Sequence, residues 1–398
     1  MSIKEQPRSF CTIFPNFRDL HFYKDPGQIP YRFSRIGYNA SLVCYGKGEN
    51  FIESEKCLKI IKLPDNYFSR KFNSGILFFL LTNSRKIDIL HTFHLTWSSL
   101  LFVYLYKILH RSGFTYLKLD DCAFAGKPHW EWDNRETRLN PPGRDKIKSR
   151  LKHQIIRRFF LNKVDLWSVE DEYSREIFEA RYDFFRGKLI TVYNGHTSDL
   201  QGSVPAPDPA DKENIILTAG RLGTFQKATE ILLEAFRSVA SQTNYVLHLA
   251  GPIEPAFNTC LDKFRHDYPF LNTRVIFHGP LGRDELYRLY CRSKIFCLPS
   301  RYEGMAIVFP EAMYYGNAIV TTMDVSLKYL IERFGFGLMV DKENSKALSD
   351  ALLNVINDNE LRDKMAQNAH ELASALLNWG EIIEMLEKEI AVRRNNRT

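Results

Sequence analysis

The chain has 398 residues, of which 44% are apolar, and this length suits two domains of roughly 200 residues, each with its own core. The first ten residues lack the apolar run of a signal peptide. The most apolar stretches, GILFFLL and SLLFVYLY, are far shorter than the roughly 20 residues needed to cross a bilayer. The seven cysteines include no CxxC pair, so neither a disulfide framework nor a zinc site is indicated. We therefore expect a cytoplasmic protein.

The formal net charge of +7 is concentrated in the first half of the chain. Residues 1–200 contain 32 Lys and Arg against 22 Asp and Glu, whereas the remainder contains 22 against 25. The densest basic segment, 143–160, has seven basic residues and one acidic residue. It is interpreted either as a solvated basic helix or as a face that attracts anionic lipid or a phosphate-bearing acceptor, at the inner face of the cytoplasmic membrane. No helix-turn-helix, zinc-finger or RNP pattern accompanies it, so no nucleic-acid partner is expected.

Short apolar runs alternate with helical patterns along the first half, which predicts the strands and helices of a parallel sheet. The clearest unit is a strand KIDILHTF at 86–93, a helix at 96–113 closed by Gly113, and a strand FTYLKLDD at 114–121. VDLWSVE and KLITVYNG predict two more strands. Residues 198–213 contain three prolines and three aspartates without apolar periodicity and therefore predict a linker.

The same alternation restarts after the linker. Helices are expected at about 227–241, 256–267 and 283–292, between strands that read NIILTAG, YVLHLAG, RVIFHG, KIFCLPS and NAIVTT. The chain is therefore predicted to be an α/β protein with two Rossmann-like domains, 1–197 and 214–378, that face each other across a cleft. The last helix, 379–398, is predicted either to pack back toward the first domain or to pack on its own domain.

The loop GRLGTFQK follows the strand NIILTAG and brings two cations to the start of the next helix. Gly220 and Gly223 allow a sharp backbone turn, and Arg221 and Lys227 supply the charges. Ligands of open α/β sheets bind at the carboxyl ends of the strands, where these charges and the helix dipole would hold a diphosphate. Solvent-facing cations are the competing interpretation, but a cation at a helix start is electrostatically misplaced unless an anion binds.

A second motif, PSRYEGMAIVFPEAMYYG, places two carboxylates after the strand KIFCLPS. Glu303 lies in a loop, and Pro310 suits the first turn of a helix with Glu311 near its start. Ionised carboxylates accept hydrogen bonds from diols, so one is expected to bind sugar hydroxyls and the other ribose hydroxyls, while nearby backbone N–H groups hold a phosphate. A helix-stabilising Glu311 and a surface-loop Glu303 are the alternatives. Two cations and two carboxylates at strand ends fit a sugar nucleotide.

AGRLGTFQKATEILLEAF and PSRYEGMAIVFPEAMYYGNAIVTT resemble the donor-site signatures of the retaining GT-B glycosyltransferases of family 4, the glycosyl transferases group 1, including the E-x7-E pattern. The resemblance implies that Arg221 and Lys227 bind the donor diphosphate and take part in catalysis. It implies that Glu303 contacts the donor sugar as a catalytic residue and that Glu311 contacts the ribose. The backbone next to Glu303 is expected beside the sugar and phosphates, at Gly304, Met305 and Ala306. The resemblance spans the second domain, is weaker over the first, and assigns the acceptor to the first.

Some features depart from the family pattern. Ala228 follows Lys227 where Gly is commoner, and the spacing from Arg221 to Lys227 is one residue longer than the usual form. At the end of the strand YLKLDD many relatives carry a pocket His, and Asp120 occupies that place here. The resemblance gives Asp120 a catalytic role, in which it orients the acceptor or stabilises the positive charge that develops on the sugar. A carboxylate that only caps the next turn is the alternative.

Two further motifs lie in the first half. FYKDPGQIPYRFSR resembles the family's first loop and helix, and Gly27 is the candidate for close backbone approach to the donor diphosphate, with Lys24 beside it. Asp-Pro-Gly is also an ordinary turn sequence. HTFH at 91–94 lies at a strand end rather than on a helix and has no third ligand nearby, so no metal site is expected there.

The resemblance implies transfer of a sugar, with retention at the anomeric carbon, from a nucleotide-diphosphate sugar to a hydroxyl of a glycan or lipid-linked glycan. Biosynthesis of a bacterial surface polysaccharide, such as a capsule or O-antigen, is the expected setting. A UDP-sugar is the expected donor, and no metal or other cofactor is expected because Arg221 and Lys227 would neutralise the departing diphosphate. A sugar-nucleotide epimerase of the same fold and a non-catalytic sugar-nucleotide-binding subunit remain open as alternatives.

Overall fold

The structure is a computed structural model that describes residues 8–46, 58–66, 72–120, 123, 159–200 and 211–396. The chain divides into two compact units. Unit 1 comprises Met1–Tyr193 and Trp379–Thr398, and unit 2 comprises Asn194–Asn378. The basic segment 143–160 lies outside the described residues except for its last two. Among the residues described, no helix is both long and apolar enough to cross a bilayer.

Unit 1 contains seven strands and five helices within the described residues. The strands are β1 (Ser9–Ile13), β2 (Asn39–Tyr45), β3 (Lys59–Leu63), β4 (Ile89–Phe93), β5 (Phe114–Lys118), β6 (Leu166–Val169) and β7 (Leu189–Thr191). The helices are α1 (Asp25–Arg35), α2 (Ser74–Asn83), α3 (Trp97–Leu109), α4 (Glu172–Arg181) and, after unit 2, α12 (Trp379–Asn395).

The seven strands of unit 1 form one parallel sheet in the order β3-β2-β1-β4-β5-β6-β7. Strands β4 and β5 are buried at every position, as their continuous β-branched and aromatic runs predict for a sheet covered on both faces. The strand order reverses between β1 and β4, so the loops that follow these two strands meet at the topological switch point, where open α/β sheets bind ligands.

The C-terminal helix belongs to unit 1. α12 packs against α1, and Tyr38, which follows α1, donates a hydrogen bond to Glu387 Oε1 at 2.9 Å. Arg393 donates to the Gly187 carbonyl at 2.8 Å, and Arg394 lies 3.7 Å from Asp88. These contacts explain why the final helix belongs to unit 1, although the whole of unit 2 lies between this helix and the rest of unit 1 in the sequence.

Unit 2 has six strands and seven helices within the described residues. The strands are β8 (Glu213–Ala219), β9 (Val246–Ala250), β10 (Val275–Gly279), β11 (Ser293–Leu298), β12 (Ala318–Thr322) and β13 (Gly337–Val340). The helices are α5 (Thr229–Ala240), α6 (Asn258–Asp267), α7 (Arg283–Arg292), α8 (Val308–Tyr314), α9 (Lys328–Phe334), α10 (Ser345–Asn357) and α11 (Asn359–Ala375).

The sheet of unit 2 is also parallel, in the order β10-β9-β8-β11-β12-β13. Its apolar core includes residues from β8, β9, β11 and β12 and from the inner faces of α5 and α10. The order reverses between β8 and β11, which pair directly. The loops after these two strands therefore start side by side at the switch point of unit 2.

The predicted boundary after residue 197 lies four residues beyond the division at Tyr193 and Asn194. Asn194 donates to the Met305 carbonyl at 3.0 Å, and the His196 N–H donates to the Leu377 carbonyl at 2.8 Å. These bonds tie 194–197 to unit 2. Of the predicted linker 198–213, residues 201–210 lie outside the described residues, and β8 begins at Glu213.

The helix predicted at 96–113 ends earlier than Gly113. α3 ends at Leu109, and His110 is its C-cap. Gly113 is needed for a different reason: a Cβ at this position would lie 2.0 Å from the Tyr106 hydroxyl oxygen. That hydroxyl donates to the Ile87 carbonyl at 2.7 Å, so Tyr106 fixes α3 against the segment that leads into β4.

We expect unit 2 to lose stability in mild acid because of a histidine pair on neighbouring strands. His278 Nε2 lies 3.0 Å from His248 Nδ1. Burial, followed by the fields of His278 and Arg292, lowers the pKa of His248 from 6.5 to about 4. The unfolded chain therefore binds the proton first, and stability falls by up to about 3 kcal/mol as the pH drops from about 6.5 to 4. Urea unfolding across this range measures the slope, which should flatten in a His248→Gln variant; an equal slope in both proteins would contradict the assignment.

Candidate functional site

Two loops at the switch point of unit 2 carry the residues that the sequence singles out. The first loop, 220–228, follows β8, and the second, 299–307, follows β11. Because β8 and β11 are hydrogen-bonded neighbours in a parallel sheet, both loops leave the sheet at the same edge. The Arg301 N–H donates to the Gln226 carbonyl at 2.8 Å and joins the two loops directly.

The first loop depends on residues in the left-handed region of backbone space. Gly220 has φ +153° and Gly223 has φ +79°, which fits the predicted sharp turn. Ala228 has φ +48° and is buried, so the position where Gly is commoner in the family has a glycine-like backbone with an alanine side chain. The Thr224 hydroxyl accepts from the Lys227 N–H at 3.4 Å and helps close the turn before α5.

Lys227 and Glu303 form an ion pair between the two loops. Lys227 Nζ contacts Glu303 Oε2, and the two side chains are only 11% and 9% exposed. The Ser300 hydroxyl donates to the same carboxylate oxygen at 3.1 Å. An ammonium and a carboxylate from separate motifs, 76 residues apart, therefore share one partly desolvated site.

Gln226 connects this pair to Arg221. Its Nε2 donates to Glu303 Oε1 at 3.1 Å and to the Tyr302 carbonyl at 3.3 Å, while its Oε1 accepts from Arg221 at 3.3 Å. Gln226 is thus the link between Arg221 and Glu303. Sequence reasoning did not single it out, since a lone Gln in a polar loop carries no signal until both loops are placed together.

The segment after Glu303 is held by backbone bonds and by one buried side chain. The Ala306 N–H donates to the Gly304 carbonyl at 2.9 Å, and the Phe309 N–H donates to the Ala306 carbonyl at 3.0 Å as α8 begins. Met305 is buried, and its sulfur accepts from the Ser326 hydroxyl at 3.6 Å. Gly304, Met305 and Ala306 therefore form a fixed connection from Glu303 to α8.

Glu311 lies inside unit 2 with a different set of partners. Its side chain is 3% exposed, and Oε1 accepts from Arg283 at 2.7 Å. Arg283 also donates to the Thr197 and Tyr287 hydroxyl oxygens, and Tyr290 lies 3.4 Å from Glu311 Oε2. Burial raises the pKa of Glu311, and the Arg283 guanidinium opposes that rise. Arg283 was not predicted from the sequence, because it lies 28 residues from its partner.

The pairing of β4 with β5 in unit 1 brings Asp120 close to a histidine. Asp120 follows β5, and its Oδ1 lies 2.5 Å from Nδ1 of His94, which follows β4 and has φ +59°. Sequence analysis noted His94 only as part of the HTFH motif and did not predict its pairing with Asp120. His91 of that motif is instead buried in β4, where its ring stacks on Tyr116 at 4.5 Å. The last residue of HTFH is thus the partner of the predicted site residue Asp120, and its first residue belongs to the core.

Gly27 lies in the first turn of α1, after the loop that follows β1. A Cβ here would lie 2.4 Å from Phe22 Cα and 2.5 Å from the Phe22 carbonyl oxygen, so only glycine fits the close approach of α1 to this loop. Lys24 is the N-cap residue of α1. The structure therefore explains Gly27 by packing within unit 1, and the donor contact stays a prediction.

Beneath the Asp120–His94 pair lies a buried charge cluster that the sequence did not indicate. Lys118 is fully buried and lies 3.7 Å from both Asp25 and Glu170. Its Nζ donates to the Val192 carbonyl at 3.1 Å. Burial raises the pKa of Asp25 while the Lys118 charge lowers it. The cluster links α1 to the ends of β5, β6 and β7.

Residues 204–372 match the family model described as glycosyl transferases group 1. An uncharacterized glycosyltransferase of Methanocaldococcus jannaschii is 27% identical over 175 residues, which is 43% of this chain and 43% of that protein. A D-inositol 3-phosphate glycosyltransferase of Corynebacterium glutamicum is 24% identical over 237 residues, 55% of this chain and 56% of that protein. The chain thus spans about half the length of these curated relatives.

Solved structures match nearly the whole chain. A glycosyltransferase from Rickettsia africae superimposes with a TM-score of 0.73 at 14% identity and covers 98% of this chain and 99% of its own. HepE of Anabaena, crystallised with UDP and glucose, has a TM-score of 0.66 at 15% identity and covers 97% of this chain and 100% of its own. At these identities the match establishes the fold.

The two parallel sheets and these superpositions define the chain as a protein of the GT-B glycosyltransferase fold, as predicted. The four predicted donor-site residues, Arg221, Lys227, Glu303 and Glu311, all lie within residues 204–372. Residues 204–372 of unit 2 are thus similar to the glycosyl transferases group 1, in agreement with the resemblance read from the motifs.

Proposed function

We propose that the chain is a retaining glycosyltransferase that moves a sugar from a nucleotide-diphosphate sugar to a hydroxyl of a glycan or lipid-linked glycan. The observation that carries the proposal is the Lys227–Glu303 pair, joined through Gln226 to Arg221 at the switch point of unit 2. The two cations, Lys227 and Arg221, suit a diphosphate, and the Glu303 carboxylate suits sugar hydroxyls. The match of the same residues to the glycosyl transferases group 1 model supports this assignment.

In this proposal Arg221 and Lys227 neutralise the charge that develops on the departing diphosphate. Fixed cations in a site of low water content stabilise such charge strongly and do not need to reorganise during the reaction. Lys227 is paired with Glu303 in the structure. A diphosphate therefore takes over part of the Lys227 interaction and frees Glu303 to accept hydrogen bonds from the donor sugar. No divalent metal is required for that task.

Glu311 is proposed to accept hydrogen bonds from the ribose, with Arg283 holding the carboxylate in place. The backbone of Gly304, Met305 and Ala306 is proposed to lie along the sugar and phosphates. A UDP-sugar is the proposed donor, and the complexes of HepE of Anabaena with UDP and with UDP-glucose support that choice.

The acceptor is proposed to bind to unit 1 next to Asp120 and its partner His94. The bond between the anomeric carbon and the diphosphate oxygen breaks, and the acceptor oxygen bonds to the same face of that carbon. The acceptor proton passes to the departing phosphate oxygen. Gly27 is proposed to allow the diphosphate close to the backbone, and Asp120 to orient the acceptor. Synthesis of a bacterial surface polysaccharide, at the cytoplasmic side of the membrane with peripheral association, is the proposed setting.

Product analysis tests the proposal against its alternatives. The purified protein is incubated with a panel of radiolabelled UDP-sugars, with and without glycan and lipid-linked acceptors. A glycosyltransferase gives a new α- or β-linked product only when an acceptor is present, with the anomeric configuration of the donor retained. A rearranged sugar without acceptor indicates an epimerase, and donor binding by calorimetry without any product indicates a binding subunit. Either of these results contradicts the proposal.

A further inference from the structure

Two helices of unit 1 expose large apolar side chains to solvent. Phe78 is 68% exposed on α2, and Leu81 of the same helix is also exposed. On α3 the exposed residues are Trp97, Leu101 and Ile108. These five residues define the α2–α3 apolar face. Exposed apolar residues are ordinary when scattered, but a cluster on adjacent helices marks an interaction surface.

The five residues lie on one outer surface because the helices run side by side. Asn73 at the start of α2 donates to the Ser98 hydroxyl in the first turn of α3 at 2.9 Å. At the other end, His110 after α3 lies 3.1 Å from the carbonyl of Ser84, which follows α2. The two helices are therefore parallel and joined at both ends.

The inner faces of both helices enter the same core. Ile76 and Leu80 of α2 and Phe102 and Tyr106 of α3 pack together over the sheet. At 100° per residue, Phe78 and Leu81 point away from the buried positions of α2, and the spacing of Trp97, Leu101 and Ile108 forms one stripe opposite the buried positions of α3. The outer stripes of the two parallel helices are therefore contiguous.

The segment 72–112, which carries this face, has a net positive charge. α2 has no charged residue, and the only one in α3 is Lys107. Arg85 and Lys86 directly follow α2 and are exposed, and Arg111 follows α3. The single acidic residue between 72 and 112 is Asp88. An apolar stripe that contains a Trp and is bordered by cations is typical of a surface that lies in the headgroup region of an anionic bilayer.

We propose that the α2–α3 apolar face binds an anionic lipid bilayer, with its apolar side chains at the acyl boundary and with Arg85, Lys86 and Arg111 at the headgroups. The proposal rests on the peripheral membrane association proposed above and assigns that association to a surface. The positive border and the lack of acidic residues in both helices favour anionic lipid over a second copy of the chain, whose own face would carry the same positive charge.

Vesicle flotation tests the proposal with the full-length protein. Wild type should float with vesicles of phosphatidylcholine and phosphatidylglycerol and stay at the bottom with phosphatidylcholine alone. A Phe78→Glu/Leu81→Glu variant should bind anionic vesicles more than about tenfold less, because two apolar contacts are lost and two carboxylates meet the anionic surface. An Arg85→Gln/Lys86→Gln variant should bind about 25-fold less, since each cation contributes a factor of about five, and 1 M salt should weaken wild-type binding in the same direction.

A Phe270→Glu variant is the matched control, since Phe270 is 59% exposed in unit 2. It should float like wild type. Far-ultraviolet circular dichroism shows whether each variant is folded. The Arg85→Gln/Lys86→Gln variant, which keeps the apolar residues, gives a second measure of lost binding that does not depend on substitutions in α2. Wild type that does not float, or a Phe78→Glu/Leu81→Glu variant that floats normally, would overturn the proposal. So would a wild-type dimer in sedimentation velocity that the same variant converts to monomer without any vesicle binding.

Different results would contradict the proposed lipid-binding surface and the proposed glycosyltransferase activity. UDP should raise the thermal midpoint of the Phe78→Glu/Leu81→Glu variant as much as that of wild type, because the substituted helix, α2, contains none of the proposed donor residues. Flotation without a thermal response to UDP or to any other nucleoside diphosphate tried would support the lipid surface and contradict the glycosyltransferase assignment. A thermal response to UDP without flotation would support the glycosyltransferase assignment and contradict the lipid-binding surface.

Discussion

Replacing Lys227 with alanine is expected to lower kcat/KM for sugar transfer by two or more orders of magnitude, and Arg221→Ala is expected to do the same. Each cation would contribute roughly 3 kcal/mol to stabilising the charge on the leaving diphosphate, which corresponds to more than a hundredfold in rate. The Lys227 variant also leaves Glu303 with only the neutral donors Ser300 and Gln226 among the side-chain partners described above. Steady-state kinetics with the productive donor and acceptor measure the effect.

Arg237→Ala is the matched control for these variants. Arg237 lies on α5 of the same unit, and its guanidinium pairs with Glu234 one helical turn away at 2.6 Å. An exposed pair of this kind contributes little, so turnover should stay near the wild-type value. Near-normal kcat/KM in both Arg221→Ala and Lys227→Ala would contradict the proposed role of the two cations.

Replacing Arg283 with methionine is expected to lower the free energy of unfolding by about 3 kcal/mol at neutral pH. The substitution leaves the buried Glu311 carboxylate without its cation, and removing one partner of a buried pair is strongly destabilising. Urea unfolding, followed by circular dichroism, measures the loss. The Thr197 and Tyr287 hydroxyls also lose a donor, so the effect should exceed that of an exposed arginine.

The pH dependence of this variant distinguishes lost charge pairing from lost packing. Burial already raises the pKa of Glu311 above the ordinary value of 4.5, and loss of Arg283 raises it further. A raised folded-state pKa gives stability that is present below the unfolded pKa and lost as the pH rises through the folded value. The deficit of Arg283→Met should therefore shrink toward pH 4.5, and Arg283→Met/Glu311→Gln should recover much of it at neutral pH. A deficit that is independent of pH, with no recovery in the double variant, would sink the electrostatic explanation.

Local sequence pattern predicted much of the fold of unit 2. The apolar runs around β8, β9, β10, β11 and β12 and the helix at 283–292 appear where they were expected, because each is a continuous buried strand or an amphipathic helix with clear ends. β13, Gly337–Val340, has only four residues, all of them half-buried, and it comes soon after a helix. So short a segment carries no strong strand pattern. β1, β2 and β3 were likewise not identified, although together they form one side of the first sheet.

The candidate site was predictable only in part. Arg221, Lys227, Glu303 and Glu311 were found because charge after a buried strand is locally visible, whereas the pairing of Lys227 with Glu303 depends on the adjacency of β8 and β11. Contacts that join distant segments had no local signal. Gln226, His94, Arg283 and the buried Lys118 belong to this group, because their role appears only when sheet order brings their partners within hydrogen-bonding or ion-pair distance.

Calorimetric titration with UDP, UMP and uridine tests the central claim most directly, namely that Arg221 and Lys227 hold the diphosphate of a nucleotide sugar. The account predicts that wild type binds UDP, binds UMP much more weakly and does not bind uridine measurably, and that an Arg221→Ala/Lys227→Ala variant loses at least a hundredfold in UDP affinity while Arg237→Ala binds as wild type. Equal UDP affinity in the double variant and wild type, or the absence of binding to wild type by UDP and every other nucleoside diphosphate tried, would contradict it.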